Sequence, residues 1–253
     1  MTNPFETIMK TFDSYGRVAR LYPSLIALAP VIWSGVALFP SIIENASHSV
    51  AFVTAAACVL YFLTSVTRSL GKRAETRLLG DWGGWPTTTL LRHRDATIDP
   101  VTKSRYHRAL ENICDSVTLP TPDAERNDAR RADEFYRSVT KKLIEMRRGP
   151  EHRLLHSENA SYGFRRNLYG LKAVAVVETL IVMSVTAFGW WIITPQPYSR
   201  LILADSVIKY PHFPVLLALD FGYLLLWLWA VTPHFVFQSG QEYGEALLRT
   251  LDA

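Results

Sequence analysis

The sequence predicts an all-α integral membrane protein, with four transmembrane helices and a helical cytosolic domain inserted between helices 2 and 3. Three observations carry this. Of the 253 residues 49% are hydrophobic and 20% charged, and the two kinds are segregated along the chain. Four blocks, Leu21–Ile43, Val50–Val66, Ala173–Ile193 and Phe213–Val231, are apolar on every side. Each has the roughly 17–23 residues that a helix needs to cross a bilayer core, whereas helices of soluble proteins alternate apolar and polar faces. Lys and Arg, finally, gather at alternate ends of the blocks.

The first element, residues 1–20, lacks the basic start, short apolar core and small-residue cleavage site of a signal peptide. Phe5, Ile8, Met9 and Phe12 recur at helical spacing among Lys10, Asp13 and Arg17. The pattern fits an amphipathic helix, either on a membrane surface or docked on the polar domain. Spans one and two fill residues 21–66, and Pro30 predicts a kink in the first. Ala51 and Ala55 in span two, and Ala218 and Gly222 in span four, have the small-xxx-small spacing that lets helices approach closely.

Orientation follows from the bases. Lys10, Arg17 and Arg20 precede span one; Arg68, Lys72, Arg73 and Arg77 follow span two; Arg165, Arg166 and Lys172 precede span three. The loop "ENASHS" carries neither Lys nor Arg, and residues 194–212 carry only Arg200 and Lys209. Both chain termini and the middle segment are therefore expected in the cytoplasm of a bacterial cell, beneath its inner membrane, with residues 194–212 as a periplasmic loop.

Residues 67–172 are too long for a connecting loop and too rich in helix signals for a linker. "TRSLGKRAETRLLGDW" continues the period of span two. "IDPVTKSRYHRALENIC" opens with Asp99 at an N-cap position and Pro100 at the first helical position. "TPDAERNDARRADEFYRSVTKKLIEMRRG" places acids early and bases late, as the helix dipole favours, and is expected as one helix. "HRLLHSENASYGFRRNLYGLK" is expected to run into span three (173–237 holding spans three and four), and residues 238–253 to form a C-terminal cytosolic helix.

Several motifs bear on chemistry. In "GDWGGWPTTTLLRHRDATIDP", Gly83 and Gly84 permit unusual backbone, Thr87 and Thr88 offer hydroxyls, and Arg92 and Arg94 offer cations. This reads either as a candidate site for a small anionic ligand or as a Gly-Gly turn flanked by headgroup-level Trp82 and Trp85. The Walker lysine pattern is absent, and the "HRD" of His93–Asp95 lacks every other kinase element. His152 and His156 lie four apart without a third ligand, so no metal and no cofactor are expected. Cys58 and Cys114 read as buried, reduced thiols. Acids and bases interleave in "DAERNDARRADEFYR", a solvated helix laced with ion pairs rather than a nucleic-acid surface. No catalytic constellation is visible, and no enzymatic activity is expected.

Glu178 and Asp220 lie inside apolar blocks, where carboxylates usually face a bundle interior or a wet cavity. Glu178 is within reach of Lys172 or Arg165; Asp220 is either protonated, hydrogen-bonded to a tyrosine such as Tyr223, or facing water. A depth offset of on the order of 10 Å argues against direct pairing of the two acids. Glu158, Tyr162, Arg165 and Arg166, in "ENASYGFRRNLYGLK", are candidates for coupling the polar domain to the bundle. That stretch and "LLGDWGGWPTTTLLRHRDATIDPVTKSRYHRAL" are similar to a group of bacterial multi-pass membrane proteins with a cytosolic insert. The resemblance implies a shared architecture and no activity.

The expected function is a non-enzymatic membrane effector or sensor, homo-oligomeric in the lipid bilayer, whose cytosolic domain acts on the bundle. A stress or anti-phage setting fits. The alternatives are a small ion channel or transporter subunit using Glu178 and Asp220, or a scaffold recruiting a cytosolic protein partner.

Overall fold

The computed structural model describes residues 13–41, 50–114, 117–195 and 200–252. Every regular element among the described residues is helical. In chain order they are α1 (Ser14–Ala27), α2 (Ala29–Leu38), α3 (Val50–Asp81), α4 (Pro86–Thr89), α5 (Pro100–Ile113) and α6 (Pro122–Asn127). There follow α7 (Ala129–Met146), α8 (Arg153–Ile193), α9 (Arg200–Lys209), α10 (His212–Trp229) and α11 (Pro233–Arg249). The expected amphipathic run from Phe5 to Phe12 and the loop "ENASHS" lie outside the described residues.

Among the described residues two helices, α8 and α10, are long and apolar enough to cross a membrane. The pair α1–α2 is a third if taken as one span, bent by 49° at Leu28. The apolar block 50–66 forms the first half of α3. Helices α3 and α8 both run on past their apolar parts as expected. At about 1.5 Å per residue, α3 and α8 exceed the roughly 30 Å of a hydrocarbon core.

The chain divides into two compact units, and the division falls inside α3 and α8. Unit one is Met1–Arg73 with Arg166–Thr232; unit two is Ala74–Arg165 with Pro233–Ala253.

Unit one turns apolar side chains outward. Val59, Phe62, Ile181, Phe188, Leu226 and Trp229 are all exposed. Cys58 is exposed as well, correcting the expectation of a buried thiol there, while Cys114 in unit two is buried as expected. Close packing comes from glycines that the small-residue pattern did not single out. A Cβ on Gly170 would stand 2.6 Å from the backbone nitrogen of Gly71, and one on Gly71 would stand 1.9 Å from Asn167 Oδ1. Thus α3 and α8 meet backbone to backbone. Gly222 has open space around it, and Ala51 and Ala55 are exposed, so among the described residues neither pair packs a helix.

Unit two has an ordinary core, in which Leu90, Leu91, Leu110, Tyr136, Val139 and Leu143 are each about fully buried. Helix α11 contributes Ala246, Leu247 and Leu248 to it. Gly240 and Gly244 face the short helix α4: added Cβ atoms would meet Pro86 Cγ at 2.9 Å and Leu90 Cδ1 at 2.7 Å. The caps explain the helix starts. Asp99 accepts the Thr102 N–H at 2.9 Å, and Thr121 accepts that of Ala124 at 3.2 Å. The helix expected across residues 121–149 is instead two, α6 and α7. Asp128 interrupts it by turning its carboxylate to the Arg131 N–H at 2.9 Å, an N-cap inside the run.

Candidate functional site

The most unusual polar arrangement lies in unit one, at the break between α1 and α2. Pro30 has no N–H to give the carbonyl four residues back, that of Ile26. The Tyr223 O–H from α10 donates to that carbonyl instead. On the other side of the break, the Val31 N–H in the first turn of α2 donates to Glu178 Oε1 of α8 at 3.3 Å. Two residues further, Trp33 Nε1–H donates to Asp220 Oδ1 of α10 at 2.8 Å. The Trp33 and Tyr223 rings meet edge to face, 5.1 Å between centroids. Three polar side chains from two other helices thus serve one broken helix. A carboxylate at the start of α2 is also where a helix dipole favours negative charge.

This corrects the expected partners of Glu178 and, among the alternatives for Asp220, the bond to Tyr223. Lys172 donates to the carbonyls of Leu228 at 3.1 Å and Val231 at 2.8 Å, closing the C-terminal end of α10. Arg165 belongs to unit two and turns to Phe235 and Glu242. Glu178 therefore meets a backbone N–H and neither base. Asp220 meets an indole; Tyr223, expected beside it, serves Ile26.

Among the described residues, each carboxylate keeps an oxygen that makes no hydrogen bond. Glu178 Oε2 and Asp220 Oδ2 are both buried and unpartnered, as is the hydroxyl of Ser34, one residue after Trp33. Asp220 is 0% exposed, so water in bulk does not reach it. Buried polar atoms are almost always paired, and the cost of leaving one bare is about 1–3 kcal/mol. On each acid, the oxygen opposite its neutral donor has the chemistry to carry a proton or to supply one ligand to a small cation. Among the described residues no three His, Cys, Asp or Glu gather as a metal cluster.

The glycine–threonine–arginine stretch in unit two is built differently. Gly83 and Gly84 have φ of 70° and 136°, so the turn needs glycine at both positions. The turn lets Arg92 approach: its Nη2 donates to Gly83 O at 2.5 Å. Its Nε and Nη2 grip Asp133 in a two-pronged pair at 2.7 and 2.6 Å. A protein carboxylate thus occupies the fork that the sequence offered to a free anion. Thr87 and Thr88 are buried, and Arg94 lies 3.9 Å from Glu125. Arg92, Thr87 and Thr88 are thus built into the turn, while Arg94 keeps a largely exposed side chain.

Around that turn lies a polar network that the sequence did not announce. Glu125, 3% exposed, accepts the His93 N–H at 2.8 Å and the Tyr136 O–H at 2.8 Å on one oxygen, and the Arg94 N–H at 3.4 Å on the other. Burial pulls its carboxyl upward, but the His93 and Tyr136 bonds outweigh this and hold it below the ordinary range. The Tyr136 hydroxyl is pushed far upward by burial and by Glu125. Lys103, pulled down by its own burial, donates to the carbonyls of Arg92 at 2.7 Å and of Asp95. Buried His107, also pulled down by burial, donates from Nε2 to Leu91 O at 2.8 Å. His156 Nε2 donates to Gly149 O at 2.8 Å, a local tie.

The coupling candidates separate. Glu158 is half-buried. The buried Tyr162 O–H donates to Glu75 Oε1, itself buried, at 2.9 Å, and its ring stacks on Tyr243. Arg165 lies over the Phe235 ring at 4.7 Å. The division between units falls between the two arginines. Arg166 is buried in unit one, its Nε donating to Asn167 Oδ1 at 3.2 Å. Asn167, fully buried, donates its amide to Ala19 O at 2.6 Å, inside the π-turn Arg17–Leu21 that widens α1. Sequence reading passed over Glu75, Glu125, Trp33 and Asn167. Comparison of the chain with protein-family models, with curated proteins and with solved structures finds no match.

Proposed function

We propose that this chain is a four-span inner-membrane protein whose bundle takes up a proton or small monovalent cation at the break in its first span. On this reading α1–α2 is span one, the apolar half of α3 span two, the apolar part of α8 span three and α10 span four. Unit two is the cytosolic domain that governs access to the bundle. A pathway for protons or cations is the activity, in the class of a small channel or transporter subunit. The observation that carries it is the meeting of Glu178 and Asp220 on one broken helix, each with a buried oxygen left bare. Broken helices with acidic partners are how many transporters hold coupling ions, since the freed backbone groups and carboxylates supply ligands.

The composition of unit two supports the topology. It joins Ala74–Arg165 to Pro233–Ala253 in one core, so both segments lie on one side of the bilayer. The chain between them must cross an even number of times, and α8 with α10 supply two crossings. The excess of Lys and Arg at the ends nearest unit two supports a cytoplasmic side there. Reporter fusions at Asp128 and Glu242 should both report cytoplasm and one at Asp205 periplasm; opposite signals at Asp128 and Glu242 would break the topology.

The effector reading shares these spans and adds a trigger acting on unit two. For the bundle itself, the test is proton and sodium flux in proteoliposomes, with dye-reported depolarisation in cells. Asp220→Asn and Glu178→Gln, at membrane levels equal to the unaltered protein, should each abolish or strongly reduce flux. Flux that persists unchanged in both variants makes the acids packing residues and removes the proposal.

A further inference from the structure

A second surface lies in unit two, on α7. We infer that the outward face of α7 binds the phosphate backbone of a nucleic-acid duplex, without regard to base sequence. The run "DAERNDARRADEFYR" interleaves acids and bases, and along the chain it reads as a helix laced with ion pairs. Folding separates the two signs. Asp133 is drawn to Arg92, at 2.7 and 2.6 Å, and Glu125 is buried against His93 and Tyr136. Asp128 caps the start of α7 through the Arg131 N–H, and Asp123 pairs with Arg126 on α6. Of the run's acids, Glu134 is exposed and its carboxylate meets no described residue. The bases go the other way. Arg130, Arg131, Arg137, Lys141 and Lys142 are exposed, and among the described residues their side chains have no hydrogen-bond or ion-pair partner.

Arg130, Arg137 and Lys141, seven and four residues apart, share one line along α7. Arg131 and Lys142, eleven residues apart, share the neighbouring line. From 130 to 142 the exposed residues of α7 are these five bases, Glu134 and Ser138, and all are polar. The apolar residues of the same stretch turn inward: Ala132, Tyr136 and Val139 are buried in the core, and Phe135 packs against it. That composition selects the partner. A protein interface needs an apolar centre, and a helix lying on a bilayer needs apolar side chains to insert. A single strand is held by aromatic rings on which its bases stack. The exposed residues from 130 to 142 offer neither. A duplex backbone is bound by cations and hydroxyls alone. It carries a charge about every 1.7 Å of axis, so the ~18 Å from Arg130 to Lys142 faces about ten phosphates, enough for each base to meet one.

The inference rests on unit two alone, so its failure leaves the proposed role of Glu178 and Asp220 where it stands. The full chain is held in nanodiscs of phosphatidylcholine, which carries no net charge, and titrated into fluorescently labelled DNA and RNA duplexes of mixed sequence. Anisotropy reads the binding. Both duplexes should bind, and affinity should fall about a hundredfold between about 50 and 150 mM salt, as five phosphate contacts require. Arg137→Gln/Lys141→Gln/Lys142→Gln should weaken binding about tenfold or more at the lower salt and cut the salt dependence to that of two contacts. The charge-keeping swap Arg137→Lys/Lys141→Arg/Lys142→Arg should bind as the unaltered protein does. Arg77→Gln/Arg108→Gln/Arg153→Gln removes equal charge from exposed positions of α3, α5 and α8 and should change binding little. Equal loss from both Gln triples would reduce the effect to net charge and overturn the face. So would absence of binding by the unaltered protein. Tighter binding of a single strand than of either duplex would overturn the duplex assignment. Co-sedimentation with phosphatidylglycerol vesicles that the α7 triple abolishes, with no duplex bound, would make the face a membrane-surface contact and overturn the nucleic-acid assignment.

Discussion

Both units bury carboxylates, and they treat them in opposite ways. In unit two, Glu125 accepts three hydrogen bonds, from two backbone N–H groups and a tyrosine hydroxyl. Asp133 is held by the fork of Arg92, and Glu75 by Tyr162. In unit one, Glu178 and Asp220 each keep a buried oxygen without a hydrogen bond. A saturated carboxylate fixes local geometry, because every alternative arrangement leaves a donor bare. A half-satisfied one keeps capacity for something that comes and goes. On the function proposed above, the same residue type serves structure in one unit and exchange in the other, and mutations should separate them.

The largest effect is expected from Glu125→Ala. It leaves the buried Tyr136 hydroxyl and the His93 N–H without an acceptor, for a loss on the order of 3–5 kcal/mol. Denaturant unfolding of the detergent-solubilised protein measures this. A loss below about 1 kcal/mol would mean that water replaces the carboxylate, and that unit two is not saturated in the sense argued here.

Gly170→Ala comes next. Its new methyl would collide with the backbone of Gly71, which cannot rotate away as a side chain would. Overpacking of this kind costs about 1–3 kcal/mol. Gly222→Ala is the matched control, since nothing stands within 4 Å of its added Cβ, and should be nearly neutral. Equal effects would place a partner helix against Gly222 that the single chain lacks, and would restore the small-residue pairing expected from the sequence.

Acid should loosen unit two in two steps. His107 is held below its ordinary 6.5, first by burial, so the folded chain refuses a proton that the unfolded chain accepts. Stability is full above that value and falls as pH drops beneath it, until the folded group titrates. Glu125, held below its ordinary 4.5, adds a second fall as pH drops from there through its folded value. Thermal unfolding followed across pH 7 to 3 checks this, and His107→Asn should remove the upper step alone.

What could be read in advance was local. Apolar blocks with an unbroken helical period foretold α3 and α8, Asp99–Pro100 foretold the start of α5, and Pro30 foretold the break. Asp128 was the local signal missed, an N-cap residue hidden in a run of helix formers. The contacts that make the candidate site are of another kind. Val31 lies 147 residues from Glu178, Trp33 187 from Asp220, and Ile26 197 from Tyr223. No window along the chain contains such a pair, and Lys172 was the nearer and chemically plausible partner for Glu178. The membership of α11 in unit two had a faint signal, Gly240 and Gly244 four residues apart, read afterwards as the face that lets α4 approach.

The smallest change in stability is expected where the comparison is sharpest, at Asp220. Replacing it by Asn keeps an oxygen for the Trp33 Nε1–H and removes a buried carboxylate oxygen that has no donor. The lost and gained terms oppose each other, so unfolding should shift by less than about 1 kcal/mol in either direction. Glu125→Gln is the counterpart in unit two. It also keeps one acceptor, but its new NH₂ would face the N–H and O–H donors that now converge on both oxygens, and it should cost clearly more. The paired measurement is thermal unfolding of both variants in the same detergent at neutral pH. If Asp220→Asn proves as damaging as Glu125→Gln, the bare oxygen in unit one is not bare in solution. A fixed donor would then hold Asp220 in place as His93 and Tyr136 hold Glu125, and the contrast between the two units would collapse into a single structural role for buried acids.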